Sequence, residues 1–166
     1  CGANTGMMSV LVPEMQKIKI ICYEPNTEII DILQNNAYLN SLLGNSYVIR
    51  TAALYDKKIP YSLMVREDYI GCSNIEKDDT SHNYTVILDE DIIGEVGLKE
   101  EEHIRLIKID CENSTPNVLA GAKHLIEKHK PIIIIEVHSQ NDFSFIKSLG
   151  YKYLKQIEEN EIWLPS

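Results

Sequence analysis

Apolar and polar positions follow two periods along the chain, and the two take turns. "IKIICYEP" is a short apolar run that stops at Glu24 and Pro25, and "NTEIIDILQNNAYLNSLL" then places Ile29, Ile30, Leu33 and Ala37 on one helical face. Asn26 or Thr27 is the expected N-cap of that helix. "SYVIRTAALYD" is rich in β-branched and aromatic residues and predicts the next strand. A polar stretch from Lys57 to Asn83 follows, too long for a plain connection, so it predicts a functional loop or small elements of its own. "IRLIKID" does not simply alternate and predicts a strand buried on both faces. Ser114 or Thr115 can cap the helix after it, with Pro116 among its first residues and Val118, Leu119, Ala122, Leu125 and Ile126 as its apolar stripe. "PIIIIEVH" predicts a second doubly buried strand. Asp142 then opens a short helix carrying Phe145, Ile146 and Leu149, which Gly150 ends. "YKYLKQI" and "EIWLP" close the chain as an antiparallel hairpin.

Strand and helix in repetition imply an α/β fold, a mostly parallel sheet with helices on both faces, to which the terminal hairpin is added. The 166 residues carry no internal repeat or low-complexity tract, so one domain over residues 1–166 is expected. A chain of this length buries about 70% of its unfolded surface and needs no staples. The chain opens on Cys1 and Gly2 without an initiator Met or a signal peptide, from which sequence upstream is expected.

Charge narrows the partners. A net charge of -9 argues against a nucleic-acid partner, whose affinity rests on clustered Lys and Arg. Cys1, Cys22, Cys72 and Cys111 are scattered, without CxxC spacing, which points to a reducing, cytoplasmic setting rather than a zinc site or a disulfide framework. The longest aliphatic run is too short to span a bilayer, so no membrane partner is expected.

In open α/β sheets ligands bind beyond the carboxyl ends of the strands. Glu24, Asp110, Glu112, Glu136 and His138 all fall at or just past three such ends. "GANTG", Gly2 to Gly6, has the character of a strand-to-helix turn where backbone passes close to a ligand, although its spacing is not that of a dinucleotide fingerprint. Glu24 follows at the distance where an acid grips two ribose hydroxyls; the alternative is a charge that favours the N-terminus of the next helix. Asp110 and Glu112, one residue apart, would share a face of an extended chain, and two neighbouring carboxylates suit a general base, a cation site or a clamp on a charged ligand. Cys111 between them reads as core. Glu136 and His138 repeat the alternation, and His138 can take a proton near neutral pH or serve only as a hydrogen-bonding group. His82, His103, His124 and His129 show no metal-ligand spacing, and no metal set is legible. Tyr61, Tyr69, Ser73, Asn74 and Tyr84 in the long polar stretch would suit a sugar.

Taken in order, "GANTG", "YEPN", "YLN", "LDEDI", "IKIDCE", "VLAGAKHLI" and "PIIIIEVH" resemble the FkbM family of S-adenosylmethionine-dependent methyltransferases across nearly the whole chain. The resemblance implies a Rossmann-like class I methyltransferase fold whose first strand is missing from this chain and whose last strand runs antiparallel. It implies that Gly2, Ala3, Asn4 and Gly6 surround the methionine part of the cofactor, that Glu24 holds the ribose with Asn26 nearby, and that Ala52 and Ala53 lie near the adenine. Asp110 and Glu112 match the family's D-x-E beside the reacting methyl, with Glu136 and His138 on the adjoining strand. The implied reaction moves a methyl group from S-adenosylmethionine to a hydroxyl of a sugar or natural product, with Asp110, Glu112 or His138 as proton acceptor. The family's D-x-E-G has become D-C-E-N here, and Asn113 is expected to take the left-handed conformation of the missing glycine. Two other readings remain: an oxidoreductase that shares the ribose-binding acid, and a degenerate module that holds a nucleotide ligand or a partner without turnover.

Overall fold

The computed structural model describes residues 1–10, 18–42, 44–65, 73–137 and 143–166. Helix α1 (Met7–Val10) follows the glycine turn and leads to strand β1 (Lys19–Tyr23), helix α2 (Ile30–Ser41) and strand β2 (Ser46–Arg50). Next come β3 (Tyr61–Val65), β4 (Ser73–Lys77), α3 (Leu88–Gly94) and β5 (Leu106–Ile109). A 3-10 turn (Glu112–Ser114) leads into α4 (Thr115–Gly121), α5 (Lys123–His129), β6 (Ile132–Glu136), α6 (Ser144–Ser148), β7 (Tyr151–Ile157) and β8 (Asn160–Pro165).

The architecture is mixed α/β, but among the described residues the strands bond as three small sheets rather than one mostly parallel sheet. β1 and β2 pair in parallel, as do β5 and β6. β3 and β4 form an antiparallel hairpin of their own within the long polar stretch. The expected terminal hairpin is present, with β8 inserted antiparallel between β6 and β7. Backbone bonds from the first residues tie the two parallel pairs together. Ala3 N donates to Tyr23 O at the end of β1, while the Cys1 amine donates to Lys108 O and Asp110 N to Cys1 O at the end of β5.

Two apolar clusters show which helices cover which face. Ile20, Cys22, Tyr47 and Ile49 pack with Ile30 and Leu33 of α2. Tyr23, Ile107, Ile109, Ile133, Ile135 and Trp163 pack with residues of α3 to α6. The strands β5 and β6 are therefore not doubly buried: Ile107, Ile109, Ile133 and Ile135 are buried, whereas Leu106 is 51% and Ile132 39% exposed. Buried side chains thus alternate with more exposed ones along both strands.

The helical faces fall where the periodicity puts them. Ile29, Ile30, Leu33 and Ala37 are buried, as are Val118, Leu119, Ala122, Leu125 and Ile126. The caps differ. Asn26 and Thr27 do not cap α2, which starts at Ile30; the Asn26 side chain instead accepts the Glu28 N–H. Ser114 stands at the N-cap of α4 without a side-chain bond, and the Thr115 hydroxyl donates to Glu112 O. The stripe of α4 and α5 belongs to two helices that break at Ala122; beside the break Gly121 passes close to another segment, where a Cβ would lie 2.3 Å from Tyr55 O. Asp142, the expected start of α6, lies outside the described residues, but Ile146 and Leu149 are buried and Gly150 follows at φ +82°. Among the described residues no helix is long and apolar enough to cross a membrane.

Candidate active site

The glycine turn, the end of β1 and the end of β5 meet at one place. Gly2 takes φ +69°, and a Cβ on it would lie 1.7 Å from Asp110 O, so only glycine lets the turn pass this close to the β5 end. Asn4 also has positive φ, and its N–H donates to Glu24 Oε2 at 2.7 Å. Asn26 N–H donates to Glu24 Oε1 at 2.9 Å, so Glu24 is clamped from both sides. Glu24 is 6% exposed, and burial raises its pKa against the pull of these two donors. A carboxylate has about four lone-pair sites, and each oxygen keeps one for a further donor, which fits a vicinal diol. Asn26 is buried and its Nδ2 has no hydrogen-bond partner among the described residues.

Around this clamp lies a cleft that is partly open to solvent. Of the residues expected from the sequence, Gly2, Asn4, Glu24, Ala52, Ala53, Asp110 and Glu112 line it. Ala3, Gly6, Asn26 and Glu136 do not. Ala3 packs against the α2 cluster, Gly6 N bonds Ala3 O beneath the turn, and Asn26 backs Glu24. His138 lies outside the described residues.

Beside the cleft three titratable groups form a chain. Lys108 Nζ meets Asp110 Oδ2 at 2.6 Å, and Asp110 and Glu136 share a side-chain hydrogen bond across β5 and β6. Two carboxyl groups can share such a bond only if one carries a proton. Burial alone would raise Asp110, but the Glu136 hydrogen bond and the Lys108 ammonium together hold it below the usual carboxylate range. Glu136 is pushed up to about 8, first by its hydrogen bond to Asp110 and then by burial. Lys108 was not singled out in the sequence, although its alternate spacing from Asp110 on a strand was the available signal.

Asp110 and Glu112 are not side by side on an extended strand. β5 ends at Ile109, and Glu112, not Asn113, takes the left-handed conformation at φ +48° as it opens the 3-10 turn. Cys111, expected in the core, is half-buried against it and also lines the cleft, and burial pushes its thiol up to about 11.

The hairpin β3–β4 contributes Ser73 and Ile75 to the cleft, and Tyr23, Pro25, Ile29 and Leu54 complete much of the wall. Tyr61 is buried against the Ala53 backbone, while Tyr84 is exposed under Lys58. Behind the wall, Arg50 grips the buried Asp91 through Nε at 3.0 Å and Nη2 at 2.6 Å, and the Tyr23 hydroxyl donates to the same carboxylate. Asp89 accepts the His124 and Leu125 N–H groups at the start of α5. The "LDEDI" run is thus an anchor for the strand ends rather than part of the cleft.

A buried acid clamped at the end of β1, a tight glycine turn and a cleft at strand carboxyl ends define an α/β protein whose candidate site lies at its strand ends. Residues 1–159 match the methyltransferase FkbM domain, and the chain belongs to that family. The crystal structure of methyltransferase FkbM from Methylobacillus flagellatus KT shares the fold, with a TM-score of 0.67 at 16% identity over 99% of this chain. The chain spans 42% of that protein's length. No curated protein matches the chain significantly.

Proposed function

We propose that the chain binds S-adenosylmethionine in the cleft and transfers its methyl group to a hydroxyl of a sugar or natural product. The observation that carries this reading is the Glu24 carboxylate, held by Asn4 N–H and Asn26 N–H with acceptor capacity left for two ribose hydroxyls. Gly2, Asn4 and the turn around them would hold the amino-acid end, with Ala3 and Gly6 shaping the turn from below and Ala52 and Ala53 against the adenine. When bound, S-adenosylmethionine supplies an electrophilic methyl carbon that leaves sulfur as the acceptor oxygen bonds to it.

The protein's own task is to align the acceptor and remove its proton. Asp110, paired to Lys108 and hydrogen-bonded to Glu136, is a weak proton acceptor, so its role is to fix charge and geometry beside the reacting centre. Glu136, with its proton, keeps Asp110 in place. The acceptor proton passes to Glu112, which lines the cleft on the 3-10 turn, or to His138. Methyl transfer from radiolabelled S-adenosylmethionine to a panel of glycans and hydroxylated natural products tests the reading. Glu112→Gln or His138→Ala, whichever removes the base, should abolish turnover while leaving S-adenosylhomocysteine affinity within about twofold. Binding without turnover on every acceptor would favour a module that holds the ligand only.

A further inference from the structure

The β3–β4 hairpin carries a polar group that the fold leaves unsatisfied. Ser73 stands first in β4, opposite Val65, and its Oγ is buried without a hydrogen-bond partner among the described residues. A buried hydroxyl without a partner costs free energy that the packing around it does not return, and native structures keep few such groups. Ser73 lines the cleft, and Ile75, two residues on and on the same side of the strand, lines it too. The hairpin is attached at both margins of that cleft: β4 packs on the Glu112–Ser114 turn, while Tyr61 at the start of β3 is hydrogen-bonded to the Ala53 backbone. Ala53 in turn shares the wall with Glu24.

We propose that Ser73 is a donor-contacting residue, whose hydroxyl makes its missing hydrogen bond to the S-adenosylmethionine held by Glu24, with Ile75 beside it as an apolar contact. This rests on the reading of the cleft as the donor site, and it makes the hairpin a wall of that site. The sequence alone had suggested this segment for the acceptor.

The test is calorimetric titration of S-adenosylhomocysteine into the 166-residue chain and its Ser73 variants, with no acceptor present. Ser73→Ala should weaken binding about threefold to tenfold, the usual effect of one hydrogen bond, while Ser73→Thr, which retains the hydroxyl, should keep most of the affinity. Thermal melting checks that the variants fold, and Ser73→Cys, nearly the same size with a poor hydrogen-bonding group, replaces Ser73→Ala if that variant does not. Unchanged affinity in a folded Ser73→Ala or Ser73→Cys variant, beside a wild type that binds, overturns the assignment and leaves the donor site intact. A wild type that does not bind S-adenosylhomocysteine overturns the donor reading of the cleft, and this inference with it.

Discussion

Replacing Glu136 by Gln isolates the shared proton of the carboxyl pair. In the native state Glu136 is raised from 4.5 to about 8, so the folded protein holds a proton there that the unfolded chain gives up near pH 4.5. The stability this provides is complete below about pH 4.5 and is lost as pH rises through about 8. A rise of that size corresponds to a gross penalty of about 5 kcal/mol on the ionised form, at about 1.4 kcal/mol per tenfold. Partial solvent exposure of Glu136 screens much of it, and Asp110 is shifted the other way, which leaves a net effect of about 1–2 kcal/mol. Glutamine keeps an N–H donor for Asp110 but cannot ionise. Urea denaturation at pH 5 and pH 9 should therefore show wild type losing about 1–2 kcal/mol more than Glu136→Gln between the two values. Equal losses in the two proteins would refute the shared proton, because every other titrating group is common to both.

Three further outcomes follow from the packing. Gly121→Ala forces a methyl onto the Tyr55 carbonyl and should destabilise by about 1–3 kcal/mol in urea. Asp91→Ala leaves the Arg50 guanidinium and the Tyr23 hydroxyl without their shared acceptor, and a loss of about 3 kcal/mol is expected from the same measurement. Asp89→Ala removes the acceptor of two N–H groups at the start of α5 and should cost about 1 kcal/mol, seen as a lowered melting temperature with the fold intact by circular dichroism.

The parts of the structure that depend on local periodicity were legible in the sequence. The buried faces of α2, α4 and α5 follow from spacing alone, and the terminal hairpin follows from two short runs separated by a polar Glu/Asn segment. Glu24 was legible because its place after an apolar run determines where it sits. What depends on distant packing was not. The burial of "IRLIKI" and "PIIII" on one face or two turns on which helices cover the sheet, and the composition of a strand does not record that. Asp89 and Asp91 look alike as acids in a short helical run, yet one caps α5 and the other binds Arg50. The left-handed residue moved from Asn113 to Glu112 because β5 ends at Ile109, before the D-C-E-N run, and the chain turns sooner than an extended reading assumes. Ser73 carried no sequence signal beyond its polarity; its significance comes from a hydroxyl enclosed without a partner.

The central claim is that Glu24, clamped by Asn4 and Asn26, holds the ribose of S-adenosylmethionine. Calorimetric titration of S-adenosylmethionine, with NAD and ATP as controls, against wild type and Glu24→Ala tests it most directly. Saturable binding of S-adenosylmethionine in preference to both controls is expected, with its loss in a folded Glu24→Ala variant. Equal binding by the two proteins, or no binding by a folded wild type, would contradict it.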